Sequence, residues 1–242
     1  MRLFGSSRNQ RVVWGRHLGR ELTPGEHAGW RKLVLVRHGE IDFNLQHRLP
    51  GQLPGIALNA RGKAEAQALA EALRPLPISA IVTSPLERAV ETATLLNAGR
   101  GLDLLRDPDL MDTNYGRYSG MCWDDLDARD REWRRFVSDP THTPTGAESF
   151  ASVSARAVRS AERWRHTADI GEWVALVTHA DLVKMLVAHY MGIPLRHVPL
   201  IGTDNASATL LAFHPDPRHA PTLLASNWSS PALWINAAQP AT

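Results

Sequence analysis

Four separated segments carry side chains able to take up a phosphoryl group. The first is Arg37-His38-Gly39-Glu40, which closes the apolar run Leu33-Val34-Leu35-Val36. A strand ending this way delivers a cation, an imidazole and a flexible turn to one point. The second is Ser84-Pro85-Leu86-Glu87-Arg88-Ala89-Val90-Glu91-Thr92-Ala93. There Arg88 falls in the first turn of a helix, whose exposed N–H groups also favour anions. The third is Asp109-Leu110-Met111-Asp112, followed by Tyr115-Gly116-Arg117-Tyr118-Ser119-Gly120, and the fourth is Leu176-Val177-Thr178-His179. Arg37 and Arg88 offer planar, bidentate, permanently charged donors to phosphoryl oxygens. With two imidazoles and a carboxylate, the set suits phosphoryl chemistry without a metal.

These residues converge only if the chain sets them at the same edge of a sheet. Leu33–Arg37 reads as a short buried strand. A polar loop follows from Gly39 to Pro54, and Asn59 reads as the N-cap of a helix running to about Leu73, stopped by Pro75 and Pro77. Ile78–Thr83 is expected as a second strand, Pro85–Leu96 as a helix with proline near its first turn, and Leu102–Leu105 as a short strand. Cys122–Val137 is amphipathic and charged and is expected as one helix, whose run Asp124–Arg135 forms a solvated face with i,i+4 pairs. Arg129, Arg131, Arg134 and Arg135 on that face are candidates for gating an anionic substrate. A helix from about Glu148 to Trp164 follows, then a buried strand Trp173–Thr178 and a helix from about Asp181 to Tyr190. Ala206–Phe213 and Thr222–Ser226 read as a closing hairpin.

Strands alternating with helices of this length argue for an α/β fold: three layers, a mostly parallel sheet flanked by helices, with a small helical lid inserted between about residues 107 and 147. In such sheets ligands bind beyond the carboxyl ends of the strands, where Arg37, His38, Arg88 and His179 all lie. Residues 1–30 read as an N-terminal extension with Trp14 and Trp30 docking on the body, 31–230 as one domain, and 231–242 as a C-terminal tail.

Composition narrows the function classes. The chain has 242 residues, 43% of them hydrophobic and 21% charged, which fits a globular domain with a sizeable core. A formal net charge of +2 gives no nucleic-acid footprint. No apolar leader or run of about 20 apolar residues is present, so neither a secretory signal nor a membrane partner is expected. Cys122 is the sole cysteine, which excludes an internal disulfide and a cysteine-based zinc cluster and suits a cytoplasmic location. His142, His189, His197, His214 and His219 lack metal-ligand spacing with acidic partners and are read as surface or core residues. No metal or cofactor is expected, and a homodimer is left open.

The motifs, in their order, resemble the histidine phosphatase superfamily, the phosphoglycerate mutase-like phosphatases, from about Lys32 to about Asn227. The resemblance includes Arg37-His38-Gly39-Glu40, Asn44, Ala57-Leu58-Asn59 with Gly62 and Gln67, and Ser84-Pro85-Leu86 with Arg88, Ala89, Glu91, Thr92 and Ala93. It continues through the Gly116/Gly120 pair after the acid, Gly146-Ala147-Glu148-Ser149 with Arg156, and Val177-Thr178-His179. It implies a phosphoglycerate mutase-like fold and a metal-independent phosphomonoester hydrolase acting on a small phosphorylated metabolite. His38 would be the nucleophile, forming a phosphohistidine. Arg37, Arg88 and His179 would hold the phosphoryl oxygens, with Asn44 assisting and neighbouring cations keeping His38 neutral.

Two positions depart from the family pattern. Asp112 stands where the family commonly has glutamate as proton donor to the leaving group, and a bound phosphate would raise its pKa. Ala180-Asp181 stands where many members have Gly-Gly; Asp181 reads as a helix cap. Glu148-Ser149 reads as a helix start with a structural role near the pocket. The alternatives are a phosphoglycerate mutase, disfavoured by the short span Gly120–Gly146, and a non-catalytic phosphate-binding regulatory protein. In Trp123–Ser149 the resemblance is to small bacterial phosphatases, including those acting on ribazole phosphate and sugar phosphates.

Overall fold

The computed structural model describes residues 29–229. In chain order the elements are β1 (Arg31–Arg37), α1 (Asp42–Leu45), α2 (Ala60–Leu73), β2 (Ala80–Thr83), α3 (Glu87–Asn97), β3 (Leu104–Arg106), α4 (Trp123–Arg129), α5 (Arg131–Ser138), α6 (Phe150–His166), β4 (Trp173–Thr178), α7 (Ala180–Met191), β5 (Ala208–Phe213) and β6 (Thr222–Trp228). The strands form one sheet in the order β3-β2-β4-β1-β5-β6. Neighbours from β3 to β1 run parallel, while β5 and β6 form an antiparallel edge, so the sheet is mixed with a parallel majority.

The apolar run of β1 has no polar alternation because both its faces are covered. Leu33 and Leu35 point into a layer shared with Val153 and Ala157 of α6 and Leu182 and Leu186 of α7. Val34 and Val36 point the other way, against Leu69 and Leu73 of α2 and Ala89, Ala93 and Leu96 of α3. This is the expected three-layer α/β arrangement. Register decides where the site falls: Arg37 lies beside Thr178, and Thr83 beside Val177. The chain therefore leaves β1, β2 and β4 at one edge, delivering His38, Ser84 and His179 there.

Asn59 caps α2 as expected, its side chain accepting from the Gly62 amide at 2.8 Å. Gly62 and Gly39 are where the loop after β1 rests on this helix. A Cβ on Gly62 would stand 2.1 Å from the Glu40 carbonyl oxygen, and one on Gly39 would stand 2.3 Å from that of Gly62. Backbone meets backbone there, and only glycine permits it.

The lid departs from expectation. Asp130 splits the single helix expected over 122–137, because its side chain accepts from the amides of Glu132 and Trp133 and starts α5. The charged run is solvated on one side only: Leu126, Trp133 and Phe136 turn inward on Leu49, Tyr115 and Tyr118, a cluster separate from the two sheet layers. Two of its acids pair with Arg117 outside the run, at 3.2 Å from Asp130 and 2.7 Å from Glu132, and Asp124 lies 2.9 Å from His47, in place of i,i+4 partners. Arg129, Arg131, Arg134 and Arg135 are all exposed. Trp30 docks as expected, edge-on to His214 at 4.9 Å. Trp14, with most of the expected extension 1–30 and the expected tail 231–242, lies outside the described residues.

Candidate active site

His38 leaves β1 with its backbone held on both sides, its N–H donating to Thr178 O and its carbonyl accepting from Ala206 N. Its side chain is buried, and Nδ1 lies 2.7 Å from the Gly39 carbonyl oxygen. A carbonyl only accepts, so Nδ1 carries the proton and the lone pair is on Nε2. Burial is the largest cause holding the His38 pKa well below the ordinary imidazole value, with the Arg88 and Arg37 cations adding to it. The cations expected to keep it neutral are thus the smaller cause. His179 is held low in the same way, first by burial and then by Arg88. Its ring stands 5.2 Å from that of His38, and its Nε2 lies 2.9 Å from Ser84 Oγ.

The arginines are anchored by part of their donor set. Arg37 Nη1 donates to Thr203 O at 2.7 Å, and Arg88 Nη2 donates to Gly51 O and Asp112 Oδ2 at 2.7 and 2.9 Å. Arg37 Nε, Arg88 Nε and Nη1, and His179 Nδ1 are buried and find no hydrogen-bond partner among the described residues. Buried donors are ordinarily satisfied. Several unsatisfied ones on three neighbouring basic side chains make a receptor for a multiply charged oxyanion.

Asp112 faces the same group, 2.9 Å from Arg88 Nη2 and 3.6 Å from His179 Nδ1. Despite these cations its pKa is raised to about 6, because burial outweighs the Arg88 attraction. Burial thus raises this pKa before any phosphate arrives. Asn44 Oδ1 accepts from Ile41 N and from Asn205 Nδ2, and Asn205 Nδ2 also donates to the His38 carbonyl. Asn44 is thereby tied to the histidine's backbone, and its own NH2 group points away from those donors.

The six candidate residues come together, Arg37 acting on His38 and Asp112 by its charge. The structural role expected of Glu148 near the site is met in company with Arg156 and Gln52, to which sequence reasoning assigned no role. Arg156 donates to both oxygens of Glu148 and to the carbonyls of Asp109, Met111 and Asp112. Gln52 Nε2 donates to the Asp112 carbonyl at 2.8 Å. Arg156 and Glu148 stood in the motif resemblance, but only the fold shows that they clamp the acid's loop. Asp181 is no helix cap: His179 is the N-cap residue of α7, and the Asp181 carboxylate turns to Thr113 and Tyr115. Among the described residues, no group of three or more His, Cys, Asp or Glu side chains could hold a metal ion, and no helix is long and apolar enough to cross a membrane.

Comparison with known proteins agrees with this geometry. The chain is 34% identical over 194 residues to a glucosyl-3-phosphoglycerate phosphatase of Mycobacterium tuberculosis, covering 76% of this chain and 86% of the relative. It is 30% identical over 184 residues to phosphoserine phosphatase 1 of Hydrogenobacter thermophilus, covering 74% and 85%. A solved structure of the mycobacterial glucosyl-3-phosphoglycerate phosphatase with VO3 superposes with a TM-score of 0.72 at 33% identity, over 82% of this chain and all of that one. The family model of the histidine phosphatase superfamily, branch 1, matches residues 33–226, and the chain belongs to that family.

Proposed function

We propose that this histidine phosphatase hydrolyses small phosphate monoesters through a phosphohistidine on His38 Nε2, with Asp112 as the proton donor. Hydrolysis of phosphomonoesters follows from the family and from relatives of this kind. The observation that carries the mechanism is the Nδ1–Gly39 carbonyl hydrogen bond, which aims a neutral lone pair from Nε2.

In the first half-reaction Nε2 attacks phosphorus, forming the N–P bond as the bond to the ester oxygen breaks. The protonated Asp112 carboxyl gives its proton to that oxygen, and the alcohol leaves. Arg37, Arg88 and His179, assisted by Asn44, hold the phosphoryl oxygens, meeting developing charge with donors already in place. In the second half the Asp112 carboxylate takes a proton from water as its oxygen attacks phosphorus. The N–P bond breaks, and phosphate and neutral His38 return.

The same reading takes residues 31–230 as the catalytic domain, flanked by an extension and a tail, in a cytoplasmic setting that suits the single Cys122. His38→Ala tests the nucleophile. Release of phosphate from a generic ester should disappear, and alkaline rapid-quench should trap phosphohistidine in the wild type only. Phosphate release surviving the substitution would sink the mechanism. Asp112→Asn should slow alkyl esters about a hundredfold or more, and nitrophenyl phosphate far less. An equal loss for both would remove Asp112 from the role.

A further inference from the structure

We propose that Asp181 is a positioning residue for Asp112. It would anchor the acid's loop to the first turn of α7 through Thr113 and Tyr115, and set a second carboxylate beside the proton that Asp112 gives. The inference rests on Asp112 being the proton donor.

Asp112 lies in irregular backbone between two 3₁₀ turns, Pro108–Leu110 and Gly116–Tyr118. The upstream part of this loop is held at its main chain, where the Asp112 carbonyl accepts from Gln52 Nε2 and Arg156 Nη2, both at 2.8 Å. Neither contact reaches the carboxyl group. The carboxyl is oriented at both oxygens: Arg88 Nη2 donates to Oδ2 from α3, and within the loop the Thr113 amide donates to Oδ1, each at 2.9 Å. Thr113 is in turn fixed by Asp181: its Oγ1 donates to Asp181 Oδ2 at 3.0 Å, and Tyr115 OH donates to the same oxygen at 2.8 Å. Thr113 is fully buried and Tyr115 nearly so, so water competes poorly for these bonds.

The charges facing Asp112 show what a second acid contributes. Arg88 approaches from α3 and His179 from the turn before α7; Arg37 acts from the end of β1, and Arg156 of α6 holds the carbonyl. The arginine charges alone would drive the carboxyl to ionise, and an ionised acid has no proton to give. Burial opposes them most strongly, and Asp181 opposes them as well.

Both bonds to Asp181 fall on a single oxygen. An amide oxygen in that place accepts both, so Asp181→Asn removes charge and keeps the anchor. The measurement is the pH profile of kcat/KM with an alkyl phosphate, wild type beside variant, so that ionisation of the substrate cancels. The basic limb of D181N should move down by about one pH unit, the order expected for a unit charge two hydrogen bonds away at an effective dielectric of about 20. Asp181→Glu should return it toward the wild-type position. Tyr115→Phe, which removes one anchoring bond and leaves the charge, should lower kcat without moving the limb. A D181N limb coincident with wild type, while Asp112→Asn shows its leaving-group dependence, overturns the proposal alone. If Asp112→Asn slows both ester classes equally, the proton-donor reading falls and this one with it.

Discussion

The elevated pKa of Asp112 makes a prediction about stability that is independent of any assay of activity. The ordinary value for the carboxyl is 3.8, and the folded protein raises it to about 6. A carboxyl shifted upward binds more protons folded than unfolded between those values. Its contribution is therefore fully present below the ordinary value and lost as pH rises through the folded one. About two pKa units correspond to about 3 kcal/mol. By linkage, roughly 1 kcal/mol of this is gone by about pH 4.5, and the remaining ~2 kcal/mol is lost by about pH 8. Asparagine does not titrate. The unfolding free energy of Asp112→Asn, relative to wild type, should thus rise by about 2 kcal/mol between those two pH values. The constant cost of giving Arg88 a neutral partner cancels in that difference, as do the titrating groups remote from Asp112. Urea unfolding followed by the fluorescence of the 8 tryptophans, in buffers free of phosphate, measures it. A difference that stays level, or shrinks as pH rises, would mean that the Arg88 pair and not burial governs Asp112.

Two further substitutions probe the supports of the site. Arg156→Met strips Glu148 and the carbonyls of Asp109, Met111 and Asp112 of their shared donor. It should cost about 1–3 kcal/mol, as leaving part-buried acceptors without their donor does, and lower kcat on alkyl esters; calorimetry beside steady-state rates checks both. Gly62→Ala would drive a methyl group against the Glu40 carbonyl oxygen, 2.1 Å away, and should lower stability by about 1–3 kcal/mol or more. A wild-type melting temperature for Gly62→Ala would refute that contact.

Much of this was legible in the chain because its signals are local. The uninterrupted apolar β1 and β4, the cap at Asn59 and the strand-end positions of His38 and His179 follow from pattern and position alone. Asp130 shows how a local rule can be misread, since an aspartate inside a charged helical run looks like one more solvated residue. It is a cap only because its backbone leaves the helix. What sequence could not supply is the rank order of opposing effects. Cations around His38 were foreseeable, whereas the larger weight of burial depends on how α3 and the loops close over it. Asp181 failed for a related reason: the first turn of a helix permits both a cap and an outward contact. The partners that decide between them, Thr113 and Tyr115, are more than sixty residues away.

The separate cluster of Leu126, Trp133 and Phe136 against Leu49, Tyr115 and Tyr118 gives the inserted region after β3 an interior of its own. Phe150 joins it to the layer under α6, stacking on Phe136 at 4.6 Å. Sequence change among Leu126, Trp133 and Phe136 can be absorbed inside this cluster without disturbing the register that joins His38 to His179. The strands thus fix the histidines, while Tyr115 ties the proton donor's loop to this second interior, so the two halves of the site answer to different packing.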